Sequence, residues 1–252
     1  ERMRPGTFEE FVGQDQIVDP DRVLLKAISA GHLPSFILWG PPGTGKTTLA
    51  RLVATSTQSD FRPVSAVTSG VADLRRIVGD ARDRKGMYQQ STILFVDEIH
   101  RFNKAQQDVI LPHVEDGTIT FIGATTENPS FEVIAPLLSR CRVFTLQSLT
   151  AEHMEAIVNR ALADSERGLG TLKSVLADDA LAHLINIANG DARVALNALE
   201  TAVYAFTPDV DGKRLIDLET ISDALQRRSP MYDKAGEGHY DTISAFIKSV
   251  RG

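Results

Sequence analysis

The chain has 252 residues, of which 42% are hydrophobic, and a formal net charge of −6. That length buries a substantial core and leaves room for one large domain and a smaller one, while the acidic balance excludes a general attraction to nucleic acid, so such a contact needs a local basic patch or an assembly. The single cysteine, Cys141, excludes an internal disulfide and fits a reducing intracellular compartment; no apolar run approaches a membrane span, and no signal-peptide pattern opens the chain.

The first part alternates short β-like runs with helical stretches, the pattern of a parallel sheet covered on both faces. The strand Phe36–Trp39 leads into Gly40-Pro41-Pro42-Gly43-Thr44-Gly45-Lys46-Thr47 and then the helix 46–56. Strand, glycine-rich turn and helix are the context of a phosphate loop. Gly40, Gly43 and Gly45 leave no Cβ in the way of backbone N–H groups converging on phosphates, and the helix opening at Lys46 adds its positive end. Lys46 is expected to reach the β and γ phosphates and Thr47 to hold Mg²⁺, so the chain reads as binding a nucleoside triphosphate through residues 40–47 and the adjoining Thr48.

A strand at 61–66 and a helix at 71–84 come next, then the strand 92–96, whose apolar run Ile93-Leu94-Phe95-Val96 ends in Asp97-Glu98. Two acids at this separation from a phosphate loop are expected to order the Mg²⁺ shell through water (Asp97) and to polarise the attacking water (Glu98). A helix at 104–115 leads to the strand 118–123 and the tip Ala124-Thr125-Thr126-Glu127-Asn128. A hydroxyl there can sense the γ-phosphate; Thr126 is the choice and Thr125 the alternative. After a helix at 131–138, Ser139-Arg140-Cys141-Arg142 precedes the last strand, 142–146. An arginine here, far along the sheet from the phosphate loop, is badly placed for its own nucleotide but suits a neighbouring subunit's, with Arg140 first and Arg142 in reserve.

After about Ser148 the strands are expected to stop. Thr150 reads as the N-cap of a helix to about Leu162, Asp178/Asp179 open another to Ile187, Asp191 a third to Phe206, and the stretch 217–227 is a fourth. Gly190 ends one helix and Asp191 caps the next, which leaves Arg193 in a first turn disfavoured for a cation unless it reaches an anion, namely the nucleotide phosphates. The division is thus an α/β nucleotide-binding domain at 1–148, a small all-helical lid at 149–228, and a linker with a new helix at 229–252. Glu1-Arg2 reads as an internal start and Val250-Arg251-Gly252 as a helix cut short. The basic side chains Arg75, Arg76, Arg82, Arg84 and Lys85, with Arg101 and Lys104, are the candidate DNA-phosphate contacts.

In this order the pieces resemble the AAA+ ATPases of the clamp-loader branch. Arg2-Met3-Arg4-Pro5 through Gly13-Gln14 is similar to the segment that wraps the adenine, Ser139-Arg140-Cys141 to the arginine-finger motif, and Gly190-Asp191-Ala192-Arg193 to sensor 2. The stretch from Asp97-Glu98-Ile99-His100 through Pro129-Ser130-Phe131 closely resembles one family, that of replication-associated recombination protein A and its eukaryotic relative the Werner helicase-interacting ATPase; the tail from Tyr232 is similar to that family's passage into a C-terminal oligomerisation domain.

The resemblance implies an AAA+ P-loop module with a five-stranded parallel sheet, and ATP with Mg²⁺ at residues 40–47. It implies Val12 and Gly13 at the adenine, Thr126 as sensor 1, Arg140 as the finger in trans and Arg193 as sensor 2. It further implies a DNA-stimulated ATPase at stalled or gapped replication forks, acting in recombination and repair. Such a protein is intracellular and DNA-associated, a homo-oligomer, typically a tetramer, and a partner of single-strand binding protein or other replication factors. The family's C-terminal domain is almost entirely missing here, as are zinc-finger cysteines. The alternatives are an ATP-switched scaffold, or a clamp-loader or branch-migration ATPase subunit.

Overall fold

The computed structural model describes residues 1–66, 69–206, 208 and 212–226, and its chain divides into two compact units. The first comprises Glu1–Ile157 with Asn189–Arg193. It opens with α1 (Asp15–Val18) and α2 (Val23–Ser29), then alternates β1 (Phe36–Trp39), α3 (Lys46–Ser56), β2 (Asp60–Ser65), α4 (Val71–Tyr88) and β3 (Thr92–Asp97). A 3-10 turn (Ile99–Arg101) precedes α5 (Lys104–Glu115), β4 (Thr120–Thr125), α6 (Pro129–Glu132), α7 (Ala135–Ser139), β5 (Arg142–Thr145) and the start of α8 (Ala151–Ala163).

The five strands form one parallel sheet in the order β2-β3-β4-β1-β5. Alternate residues of each strand go to opposite faces, and in the central strands β1, β3 and β4 both faces are buried. Phe36, Leu38, Ile93, Phe95, Ile122 and Ala124 pack with Leu49, Leu52 and Val53 of α3, whereas Ile37, Leu94, Val96 and Phe121 pack with Leu74, Ile110 and Leu137 from α4, α5 and α7. Removing such side chains from water on both faces is worth about 1.5–3 kcal/mol each, which is why continuous apolar runs rather than alternation mark these strands.

The expected elements occur with small shifts at their ends, except in one place. The single helix expected at 131–138 is two, α6 and α7, separated by extended backbone at Val133 and Ile134. Pro136 explains the break. In a continuous helix its ring would lack an N–H for the Glu132 carbonyl and clash with it. Here that carbonyl accepts a hydrogen bond from Gln107 Nε2 at 3.0 Å, and the Ile134 N–H donates to Gln107 Oε1 at 2.9 Å. Gln107 is buried on α5 and also donates to the Phe102 carbonyl at 3.2 Å.

The second unit takes in Val158–Ala188 and the chain from Val194. Its described elements are the rest of α8, a 3-10 turn (Gly170–Leu172), β6 (Ser174–Leu176), α9 (Asp178–Ala188), α10 (Ala192–Ala205, entering at Val194), β7 (Arg214–Ile216) and α11 (Leu218–Gln226). It is helical, with Leu184, Leu199, Val203 and Ile221 among its buried side chains. Strands do not stop at Ser148, however: β6 and β7 pair in parallel, with Val175 opposite Leu215. Strands of three residues are too short to show a period, and their partners are far apart in the chain. The expected linker and helix at 229–252 lie outside the described residues. Among those described, no helix is long and apolar enough to cross a membrane.

Candidate functional site

β4 lies between β3 and β1, so the C-terminal ends of these three strands stand side by side. One edge of the sheet therefore gathers the phosphate loop after β1, Asp97-Glu98 at the end of β3, and the two threonines at the tip of β4.

The loop's backbone requires glycine at Gly43 (φ +69°) and Gly45 (φ +99°), a region that side chains disfavour. A Cβ on Gly45 would also come within 2.8 Å of the Phe11 ring, and one on Gly43 within 2.0 Å of Asp191 Oδ1. Thr44 donates its hydroxyl to the Pro41 carbonyl at 2.9 Å. Lys46 Nζ, from the first turn of α3, donates to the carbonyls of Gly40 and Pro41 at 2.7 Å each. Burial pushes the Lys46 ammonium down to about 8; the positive charge of Arg193 adds to this, while Asp97 and Asp191 oppose it. Asp97, Asp191 and Arg193 thus lie within reach of the Lys46 charge. Thr47 is half-buried beside Lys46, and Thr48 Oγ1 accepts from Arg4 Nη1 at 3.3 Å, which ties the N-terminal segment to α3.

Asp97 ends β3 exposed, and the backbone then turns through Glu98 in the left-handed region (φ 54°, ψ 53°). A non-glycine residue held there stores about 1 kcal/mol or more, and such strain gathers at functional sites. Glu98 Oε2 forms an ion pair with Arg101 Nε at 2.9 Å. His100, to which the sequence alone assigns no role, joins this turn to the neighbouring strand: its Nδ1 is 3.1 Å from Thr125 Oγ1. The Thr125 hydroxyl also accepts from the Glu127 N–H at 2.9 Å and is buried, whereas Thr126 is exposed one residue beyond β4. The hydroxyl of Thr125 is therefore committed within the fold.

The oxygen donors suit Mg²⁺. One hydroxyl (Thr47) and one exposed carboxylate (Asp97) match an ion that keeps waters and takes its other ligands from phosphates. Among the described residues, no group of three or more His, Cys, Asp or Glu side chains forms a cage that would bind a metal without the nucleotide.

At the N-terminal segment, Gly13 has φ +76°, and a Cβ there would meet His153 Nδ1 at 3.0 Å and Leu149 Cδ2 at 3.1 Å. Buried Gln14 clasps the chain leaving β5: its Nε2 donates to the Gln147 carbonyl at 2.8 Å and its Oε1 accepts from the Gln147 N–H at 3.0 Å. Gly13, next to Val12, thus sits against Leu149 and His153 at the start of α8, and Gln14 against Gln147, contacts that no local sequence signal announces.

Arg140 corrects one expectation. It is not far along the sheet, because β5 pairs directly with β1, Phe36 opposite Arg142. Its separation from the phosphate loop runs along the strands instead. Arg140 precedes β5 at the sheet's N-terminal end, and the loop comes after β1 at the C-terminal end, so Phe36 to Gly40 alone spans about 13 Å at roughly 3.3 Å per residue. Arg140 caps the C-terminus of α7, donates to Ser139 Oγ at 2.8 Å and pairs through Nε with Glu115 Oε1 at 2.8 Å. It borders a cavity of about 540 Å³ together with Leu33, Ser35, Val114 and Glu115. Beside it Cys141 is half-buried, and its desolvation pushes the thiol up to about 12. Arg142 stands exposed at the start of β5.

In the basic cluster on α4, Arg75, Arg76, Arg82 and Lys85 are exposed and Arg84 is half-buried. Arg84 pairs with Asp60 at 2.9 Å, Arg76 with Asp73 at 3.4 Å, and Lys85 donates to the Gly117 carbonyl at 2.6 Å. Lys104 is exposed as well. In the segment 189–193, Gly190 has φ +82° beside Leu149, and Asp191 Oδ1 accepts from the Arg193 N–H at 2.8 Å, capping α10.

Comparison with known proteins agrees with this architecture. Residues 3–152 match the family model described as the Holliday junction DNA helicase RuvB P-loop domain, and residues 169–251 the one described as an AAA C-terminal domain. The chain is 49% identical to replication-associated recombination protein A of Escherichia coli K12 over 251 residues, 100% of this chain and 56% of that protein. It is 43% identical to the ATPase WRNIP1 of Dictyostelium discoideum over 267 residues, 100% of this chain and 30% of that one. The chain thus spans little more than half the length of such bacterial relatives. Among solved structures, the Thermotoga maritima RuvB Holliday junction branch migration motor superposes with a TM-score of 0.73 at 25% identity, covering 100% of this chain and 82% of that one.

Proposed function

Because the chain belongs to the AAA+ P-loop ATPases, matching the RuvB-type P-loop domain and similar to replication-associated recombination protein A and WRNIP1, we propose that it hydrolyses ATP with Mg²⁺ in response to DNA at stalled or gapped replication forks. The observation that carries this reading is the meeting of Lys46, Asp97, Glu98 and Thr126 at the ends of three adjacent strands, with Arg140 at the opposite end of the same sheet.

In this reading residues 40–48 cradle the phosphates through their N–H groups, and Val12 and Gly13 line the adenine. Lys46 turns from the Gly40 and Pro41 carbonyls to the β and γ phosphates. Mg²⁺, held by Thr47 and through water by Asp97, supplies charge neutralisation on the phosphates. Glu98 orients and polarises the attacking water, and Thr126 fixes the γ-phosphate end of that arrangement. Arg193 adds a cation from the first turn of α10.

Arg140 serves the nucleotide of a neighbouring copy, stabilising charge on the transferred phosphoryl group, which makes activity depend on a homo-oligomer, a tetramer in the longer protein. The Arg101–Glu98 pair supports a link to DNA, since a backbone phosphate that draws Arg101 away leaves Glu98 to the water. Recruitment by single-strand binding protein or other replication factors completes the proposal. Residues 1–148 form its nucleotide-binding domain, 149–228 its lid and 229–252 the passage to an oligomerisation domain.

The test is ATP turnover per chain against protein concentration, with and without gapped DNA, with Glu98→Gln as the inactive control. Turnover rising with concentration and with DNA supports a finger supplied in trans. Turnover indifferent to both would favour an ATP-switched scaffold.

A further inference from the structure

The carboxylate of Asp191 lies on the phosphate loop. A Cβ built on Gly43 would be 2.0 Å from its Oδ1, 2.2 Å from its Cγ and 2.7 Å from its Cα, so side chain and backbone both press against the loop at the glycine. Oδ1 is also the cap of α10, accepting from the Arg193 N–H at 2.8 Å. An acid for this cap is not required by helix chemistry: Asn and Ser cap as well as Asp. A neutral cap would leave Asp97 as the other carboxylate acting on Lys46 there, beside the cation Arg193. Instead a negative charge is placed beside the cradle that must take up three phosphates.

We propose that Asp191 sets the affinity of the loop for nucleotide, holding it below what the cradle alone provides and discriminating by the number of phosphate charges. The inference rests on the nucleotide reading of residues 40–48. Like charges on one cradle repel, so each added phosphate gains less than the N–H groups and Lys46 would give it. The carboxylate also attracts the Lys46 ammonium, competing with the phosphates for the same cation. Tight holding of product would slow a cycling ATPase, and a fixed negative charge beside the phosphates relieves it.

The experiment is a titration of ATP, ADP and AMP followed by the fluorescence of Trp39, the chain's single tryptophan and the residue before Gly40. Asp191→Asn and Asp191→Ser both keep a capping oxygen and remove the charge, and thermal melts confirm that they fold. ATP is expected to bind about three- to tenfold more tightly to both, the effect of one unit charge roughly 6 Å away through an effective dielectric of about 40 to 80. The gain should shrink from ATP to ADP, be smallest for AMP, and fall as salt is added. Unchanged or weaker ATP binding in both variants, or an equal gain for all three nucleotides, overturns the inference alone. A wild-type chain that binds no ATP, behaving like Lys46→Ala, overturns the nucleotide reading and the inference with it.

Discussion

Replacing Gln107 by leucine removes the amide that bridges the break between α6 and α7 while keeping its apolar stem. The substitution leaves the carbonyls of Phe102 and Glu132 and the N–H of Ile134 without their partner, at a residue only 1% exposed. Each lost bond of this kind is worth about 1 kcal/mol, and buried groups left unpaired add to it, so about 3 kcal/mol of destabilisation is expected. At about 2–4 °C per kcal/mol for a protein of this size, the melting temperature should fall by about 6–12 °C. The assay is a thermal melt followed by circular dichroism. Gln90→Leu is the control, since its amide makes only an exposed 3.5 Å contact with the Gln58 carbonyl, and it should stay within about 2 °C of wild type. A Gln107→Leu melt as small as the control's would refute the reasoning, because water or a backbone shift would then satisfy the freed groups and Gln107 would not be what holds the chain leading to Arg140.

The remaining predictions concern the phosphate loop. Burial holds the Lys46 ammonium at about 8 rather than its ordinary 10.5. ATP needs the charged form, so affinity measured by the Trp39 titration should be flat below about pH 8 and fall above it by up to about tenfold per pH unit. A flat profile through about pH 9.5 would contradict this. The same depression has a stability consequence of definite sign. Between about 8 and 10.5 the unfolded chain keeps a proton that the folded one has released, so the Lys46 contribution makes the fold more stable as pH rises through that window, seen as a gain over Lys46→Met in urea titrations. Gly45→Ala combines a left-handed backbone with a Cβ 2.8 Å from the Phe11 ring. It should destabilise by about 1–2 kcal/mol from the backbone alone and weaken ATP binding; a melt and a titration equal to wild type would mean that the loop relaxes freely.

Local chemistry made much of the molecule legible in advance. Three glycines, a lysine and a threonine between an apolar run and a helix specify a phosphate loop because only that spacing frees consecutive N–H groups. The central strands β1, β3 and β4 were readable because burial on both faces demands largely apolar runs, as in Ile93–Val96. The helix expected at 104–115 is α5, whose start the structure closes with reciprocal bonds between Asn103 and Gln106. No window of sequence carries which strand lies beside which. That β4 separates β3 from β1, that β5 pairs with β1 and so sets Arg140 apart along the strands, and that β6 finds β7 some forty residues on were decided by packing between distant segments. The same holds for side chains whose meaning is their neighbour. Thr125 is committed to His100 and Glu127, Gln107 to a proline-interrupted helix, and Asp191 to Gly43, each by a contact between residues remote in the chain or hidden from any local period. Sequence determines the chemistry available at each position, because propensity and burial act locally. Only the closed fold decides which groups face one another, because hydrogen bonds and charges act over a few ångströms of space regardless of their distance along the chain.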